Sequence, residues 1–253
     1  MPRARNSNSQ QRGTRAITSN ITVQEEAGDR IIREVYGNLR GEWNGTIGTI
    51  FDYLSDRCIF TKSAETAKAM NEKVTNRTPG EVYSSRAEDV HEGPGWTIQE
   101  YSGVTPMPLD HAPTREINLK VGMPVLLTDH IFMKGGLVNG TRLIVTGIYD
   151  GFLKAKLTSG TFKGDEVVVH KMWWLVLPGD SNTRAYLRFQ YPLIAGYAVA
   201  FNFYLNDPVK ISGVFLEQRL YQEFMRSLRH IDMSQCEKMF VVSPSQSTLI
   251  VED

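Results

Sequence analysis

Five short strand-like runs follow one another between Ile117 and Val169, and no other stretch constrains the fold of this chain as much. They are Ile117-Asn118-Leu119, Pro124 to Leu127, Arg142 to Ile148, Phe152 to Leu157, and Glu166 to Val169. Turn signals separate or follow them: Lys134-Gly135-Gly136, Asn139-Gly140, Asp150-Gly151, Ser159-Gly160 and Pro178-Gly179-Asp180. Asn-Gly and Asp-Gly accept the positive φ that both central residues of a type I′ turn require, so they point to hairpins. So many short strands in so little chain predict a small β-barrel over residues 117–189.

The flanking segments have a different texture. Thr22-Val23-Gln24-Glu25 has the T-x-x-E spacing of a capping box. Behind it Val23, Ala27, Ile31, Val35 and Leu39 recur every four residues, which predicts an amphipathic helix. Gly37 and Gly41 weaken its end, and Trp43-Asn44-Gly45-Thr46 reads as a loop. Arg57 to Thr61 is apolar without alternation, as suits a buried strand. Ser63 then caps a helix from Ala64 to Val74, with Ala67, Met70 and Val74 facing inward. Strand followed by amphipathic helix is the unit of a parallel α/β sheet. Residues 76–115 are rich in Pro, Gly, Ser and Asp and hold only brief pieces such as Glu81-Val82-Tyr83-Ser84. Beyond the barrel, Gly196 to Phe201 and Ile211 to Leu216 are buried-strand runs. A helix is expected over Leu216 to His230, and strands over Lys238 to Val242 and Leu249 to Val251. The expected organisation is a basic tail (1–21), an α/β part (22–116), the barrel (117–189) and a second α/β part (190–253).

Lys+Arg and Asp+Glu number 28 each, which excludes a strongly basic architectural protein and argues against wholesale disorder. The balance hides a basic start: Arg3, Arg5, Arg12 and Arg15 stand among Ser, Asn, Gln and Gly, with no acid up to residue 19. Such a segment is expected to be disordered and able to touch phosphates. No apolar stretch is long enough to span a bilayer and no apolar leader is visible, so an intracellular protein without a membrane partner is expected. Cys58 and Cys236 lie in apolar contexts and are expected to be buried free thiols.

No G-x-x-x-x-G-K-[ST] loop occurs in the sequence, and Asp165-Glu166 reads as a solvated turn rather than a Mg²⁺-holding pair. His91, His111, His130, His170 and His230 are scattered, with no metal spacing, so no catalytic or metal residue and no cofactor is expected on these residues. Trp173-Trp174 is either a stacking platform for bases or a pair with one ring buried in the barrel and one partly exposed. Arg219, Gln222, Arg226 and Arg229 fall on one stripe of the last helix, which is either a phosphate-binding or a solvated face.

The run from Ile117 to Leu127, followed by Gly136-Leu-Val-Asn-Gly-Thr-Arg-Leu-Ile-Val-Thr146, closely resembles the C-terminal half of Helitron-type helicases. These belong to the petite-integration-frequency group of superfamily 1B. Tyr53 to Phe60 is similar to that family's motif IV strand, and Met70-Asn71-Glu72 to the helix after it. Ser159-Gly160-Thr161 with Gly164, then Gln190-Tyr191-Pro192, match in order. The resemblance implies an α/β fold, the second RecA-like helicase domain, with an inserted small Src-homology-3-like β-barrel. It also implies a nuclear, transposon-derived protein linked to DNA repair or recombination, with ATP and Mg as the intact family's cofactors.

Two motifs depart from the family. Its motif V reads Thr-Ile-Asn-Lys-Ser-Gln-Gly-Gln-Thr-Leu, and only Asn202 survives in Ala200 to Val209. Its motif VI aligns with Leu220 to Ser227, which puts Arg226 on the arginine-finger position. An arginine finger without a nucleotide opposite it has no transition-state charge to stabilise. The resemblance therefore implies a degenerate helicase half, a nucleic-acid-binding or partner-binding module without activity of its own. The alternatives are part of a split or truncated transposon helicase that needs a separate ATPase domain as partner, or a non-functional remnant. Weak, salt-sensitive binding of single-stranded DNA is expected from Lys120, Asn139, Thr141, Arg142, Lys154, Lys156, Lys171 and Asn202.

Overall fold

The computed structural model describes residues 26–37, 39–43, 46–91, 106–108, 112–177, 184–201, 208–216, 235–243 and 246–252, with Val104 and Leu205 between them. The basic tail, the capping box, Asn202, and the last helix with Arg226 lie outside the described residues.

The chain begins with helix α1 (26–36), the short α2 (Leu39–Glu42) and α3 (Ile47–Ser55), then β1 (Arg57–Thr61) and α4 (Ala64–Arg77). Strands β2 (Tyr83–Arg86), β3 (Glu88–His91), β4 (Pro106–Pro108) and β5 (Glu116–Leu119) follow. Next come β6 (Pro124–Leu127), β7 (Arg142–Ile148), β8 (Phe152–Leu157) and β9 (Glu166–His170). The series ends with β10 (Met172–Leu177), β11 (Tyr186–Gln190), β12 (Leu193–Ala195), β13 (Ala198–Ala200), β14 (Ile211–Phe215), β15 (Lys238–Ser243) and β16 (Gln246–Glu252).

The first sheet has the order β13-β1-β14-β15-β16; it is parallel except for the antiparallel edge β16. Its central strands are buried on both faces, which is why they read as unbroken apolar runs. In β1, Ile59 packs with Ile31 and Val35 of α1 and with Met70 and Val74 of α4. Cys58 and Phe60 point the other way, toward Val199, Val209 and Val214. Gly213 is what lets α1 approach β14: a Cβ there would lie 2.6 Å from Val35 Cγ2 and 2.9 Å from Ile31 Cγ1. Gly213→Ala is therefore expected to destabilise the fold by about 1–3 kcal/mol through overpacking. The check is a lower urea midpoint with an unchanged m-value.

The expected series of five strands divides. The second sheet has the order β12-β6-β7-β8-β9 and is antiparallel throughout. Its strand β12 lies beyond residue 189, while β5 pairs with β2 in a separate ribbon. A further sheet, β3-β11-β10-β4, joins β3 and β4, which precede the second sheet in sequence, with β10 and β11, which fall between its strands β9 and β12. The loop expected at Trp43 to Thr46 ends in a helix: the Thr46 hydroxyl accepts from the Thr49 N–H at 3.4 Å and caps α3. The run Tyr53 to Phe60 thus spans the end of α3, a turn at Asp56 and most of β1, and it is strand only from Arg57.

One hydrophobic core joins Ile31, Val35, Met70 and Val74 with Leu143, Ile144, Val145 and Leu153 of β7 and β8. Cys58 is buried as expected, but Cys236 is partly exposed, with its Sγ 3.3 Å from Ser212 Oγ. Among the described residues no helix is long and apolar enough to cross a membrane.

Candidate nucleic-acid interface

The structure removes three of the expected phosphate contacts from the surface. Lys120 is buried, and its Nζ donates to the Thr78 carbonyl at 2.6 Å. Burial pulls its pKa below the usual lysine value. Arg142 is fully enclosed at the start of β7, where its guanidinium donates to the carbonyls of Ser55 and Arg57. Thr141 is buried too; its hydroxyl donates to the Gly136 carbonyl at 2.8 Å and accepts from the Val138 N–H. These side chains support the fold from within and lie out of reach of a phosphate. Asn139 is exposed in the turn before β7.

The remaining lysines keep access to solvent. Along β8, Leu153, Ala155 and Leu157 are buried, and Phe152, Lys154 and Lys156 alternate with them toward solvent. Lys154 stands opposite Val168 and Lys156 opposite Glu166 on β9. Glu166 leans back along the strand: its Oε1 lies 2.9 Å from Lys154 Nζ, and its Oε2 accepts from the Thr146 hydroxyl at 3.0 Å. The hydrogen bond from Lys154 holds the Glu166 carboxyl below its ordinary pKa, and the same contact raises that of Lys154. Lys171, just after β9, donates to the Arg86 carbonyl at 3.4 Å and sits 5.6 Å from the centre of the Tyr191 ring.

Aromatic groups share this face. Tyr149 stacks on Phe152 with ring centres 4.9 Å apart and planes 14° apart, and Phe152 lies 5.8 Å from His170. Sequence reasoning missed this row; its signal was two rings bracketing the Asp150-Gly151 turn. The tryptophan pair splits as the second of its two readings has it. Trp174 is buried with Val176 and Tyr186, whereas Trp173 is partly exposed, 4.8 Å from the Phe189 ring. The packing lies in the β3-β11-β10-β4 sheet rather than in the expected barrel. Among the described residues no group of three or more His, Cys, Asp or Glu comes together to hold a metal.

Residues 107–148, which include β5, β6 and β7, match the family model described as DNA helicase Pif1, 2B domain. This segment is Pif1-like. Solved Pif1 structures resemble the chain at low identity. Unliganded Pif1 from Bacteroides sp is 13% identical with a TM-score of 0.48, covering 76% of this chain and 52% of that one. Pif1 helicase from Candida albicans is 19% identical with a TM-score of 0.46, covering 85% and 52%. Bacteroides Pif1 bound to ssDNA is 16% identical with a TM-score of 0.47, covering 85% and 49%. The chain spans about half the length of these Pif1 chains. No curated protein matches it.

Proposed function

We propose that this chain is part of a Pif1-type DNA helicase: a second RecA-like domain with a small inserted Src-homology-3-like barrel, built on the β12-β6-β7-β8-β9 sheet. Its role in this reading is to bind single-stranded DNA without turning over ATP on its own residues. The observation that carries the reading is the solvent-facing pair Lys154 and Lys156 on β8, with Lys171 just after β9, in the sheet to which the Pif1-like segment contributes β6 and β7. The basic tail adds non-specific attraction. ATP and Mg chemistry would come from residues other than these, which carry no P-loop. A nuclear location, a role in DNA repair or recombination and a Helitron origin belong to the same reading.

The test is fluorescence anisotropy with a labelled oligodeoxythymidylate across a salt series, using the full chain with its four tail arginines changed to alanine. Each phosphate neutralised on a single strand adds about 0.7 to the slope of log K against log salt. Three lysines would give a slope near −2, or roughly twentyfold weaker binding between 50 and 200 mM salt by the same relation. Lys154→Glu with Lys156→Glu is expected to abolish most of that binding; unchanged affinity and slope would remove the interface. Glu166→Gln should act in the opposite direction. Its carboxyl is held below the ordinary pKa, so at neutral pH it stays charged and competes for Lys154. Removing that charge is expected to raise affinity at every salt concentration of the series.

A further inference from the structure

We propose that Tyr149, Phe152 and His170 form a base-stacking platform, so that the outer face of β8 and β9 reads the bases of a single strand as well as its phosphates. The inference rests on the single-stranded DNA reading above and assigns the chemistry of that face.

Three observations converge. First, the rings are held in a row by the backbone. Phe152 and His170 are paired residues across β8 and β9, and the Tyr149 N–H donates to the Phe152 carbonyl at 3.0 Å across the Asp150-Gly151 turn. Gly151 has a φ of 79°, which the tight turn requires and which a glycine adopts without strain. Second, the Tyr149 ring lies on the sheet over a residue that lacks a side chain. A Cβ on Gly147 would stand 2.9 Å from Tyr149 Cε2 and 3.0 Å from its hydroxyl oxygen. Third, the ring is open to solvent: Tyr149 is 47% exposed, although a tyrosine recruited for packing would be turned inward. The core beneath is filled from the other side of β8 by Leu153 and Ala155.

Flat aromatic faces open to water, flanked by cations, suit unpaired bases, because every base has a π-face and stacking tolerates any sequence. Lys154 follows Phe152 on the same face, so a phosphate beside a stacked base meets its ammonium. Asp150 sits at the tip beside Tyr149 and repels a backbone there. The strand is therefore directed from the rings toward Lys154 rather than over the turn.

The test compares two labelled strands of about 15 nucleotides, within the range of site sizes found for single-strand-binding OB folds. One is oligodeoxythymidylate; the other is an abasic deoxyribose-phosphate strand with the same phosphates and no bases. The full chain is expected to prefer the thymidylate about tenfold, the size of one stacked base. Tyr149→Ala should abolish the preference and leave abasic binding unchanged. Tyr149→Phe should keep it, since the π-face and not the hydroxyl is at work. Gly147→Ala, which displaces the ring, should reduce it. Equal binding of both strands by the parent chain overturns the platform and leaves the phosphate contacts standing. Equal loss on both strands in Tyr149→Ala also overturns it, because the ring then only supports the sheet. Binding of neither strand removes the single-stranded DNA reading and the platform together.

Discussion

Asp89→Asn is expected to destabilise the folded chain by about 3–5 kcal/mol, the cost of leaving a buried charge without its partner. Asp89 on β3 stands opposite Arg188 on β11. Its two oxygens receive Arg188 Nε at 2.8 Å and Nη2 at 2.9 Å, a bidentate pair. The Arg188 side chain is 5% exposed and that of Asp89 11%, so water does little to screen them. Arg188 also donates to the Pro113 carbonyl at 2.8 Å, which fixes it in place when the carboxylate is neutralised. Urea titration of the variant against the parent measures the loss. The pH dependence has a definite sign. Hydrogen bonding from Arg188, the main cause, holds the Asp89 carboxyl below its ordinary value in the folded state. The contribution is therefore fully present above the unfolded pKa of about 4, and it is lost as pH falls through the lower folded value. The parent should weaken progressively below about pH 4, whereas Asp89→Asn should show a flatter acid limb.

Asn71→Leu is expected to cost about 2–6 kcal/mol, because two buried backbone groups lose their partners at about 1–3 kcal/mol each. Asn71 projects from α4 onto β13, the edge strand of the first sheet. Its Nδ2 donates to the Ala198 carbonyl at 2.8 Å, and its Oδ1 accepts from the Ala198 N–H at 2.8 Å. The side-chain amide thus stands in for a neighbouring strand. Leucine fills a similar volume, so the loss is of hydrogen bonding rather than of packing. Thermal unfolding gives the magnitude, and faster hydrogen exchange at the Ala198 amide locates it.

What the sequence made legible, and what it hid, follows from the range of the interactions involved. Strands β6, β7 and β8 could be read because short apolar runs, the alternation along β8 and glycine turns are local signals. Helix α3 was hidden behind Asn44-Gly45, although Ile50, Phe51 and Leu54 are spaced for a buried face. Strand β11 pairs with β3 almost a hundred residues earlier, and nothing local announces such a partner. The same limit governs the interface. Lys154 and Lys156 were visible because they alternate with apolar residues along β8. Lys120 and Arg142 also lie beside apolar runs, but both are buried and donate to carbonyls at Thr78, Ser55 and Arg57, which only the tertiary fold brings near. The claim of Glu166 on Lys154 depends on strand register, which charge patterning alone does not supply.

Arg142 has a mechanical consequence. Its guanidinium reaches from the first residue of β7 to two carbonyls at the corner between α3 and β1, above a core that runs without a seam beneath both sheets. Swinging the small sheet away from the parallel one would break both charge-assisted bonds and leave a cation stranded in an apolar interior. The corner therefore behaves as a stiff joint rather than a hinge. In the proposed function, a pull on a DNA strand at the outer face of β8 would reach the α3–β1 corner through this joint rather than through a flexible link.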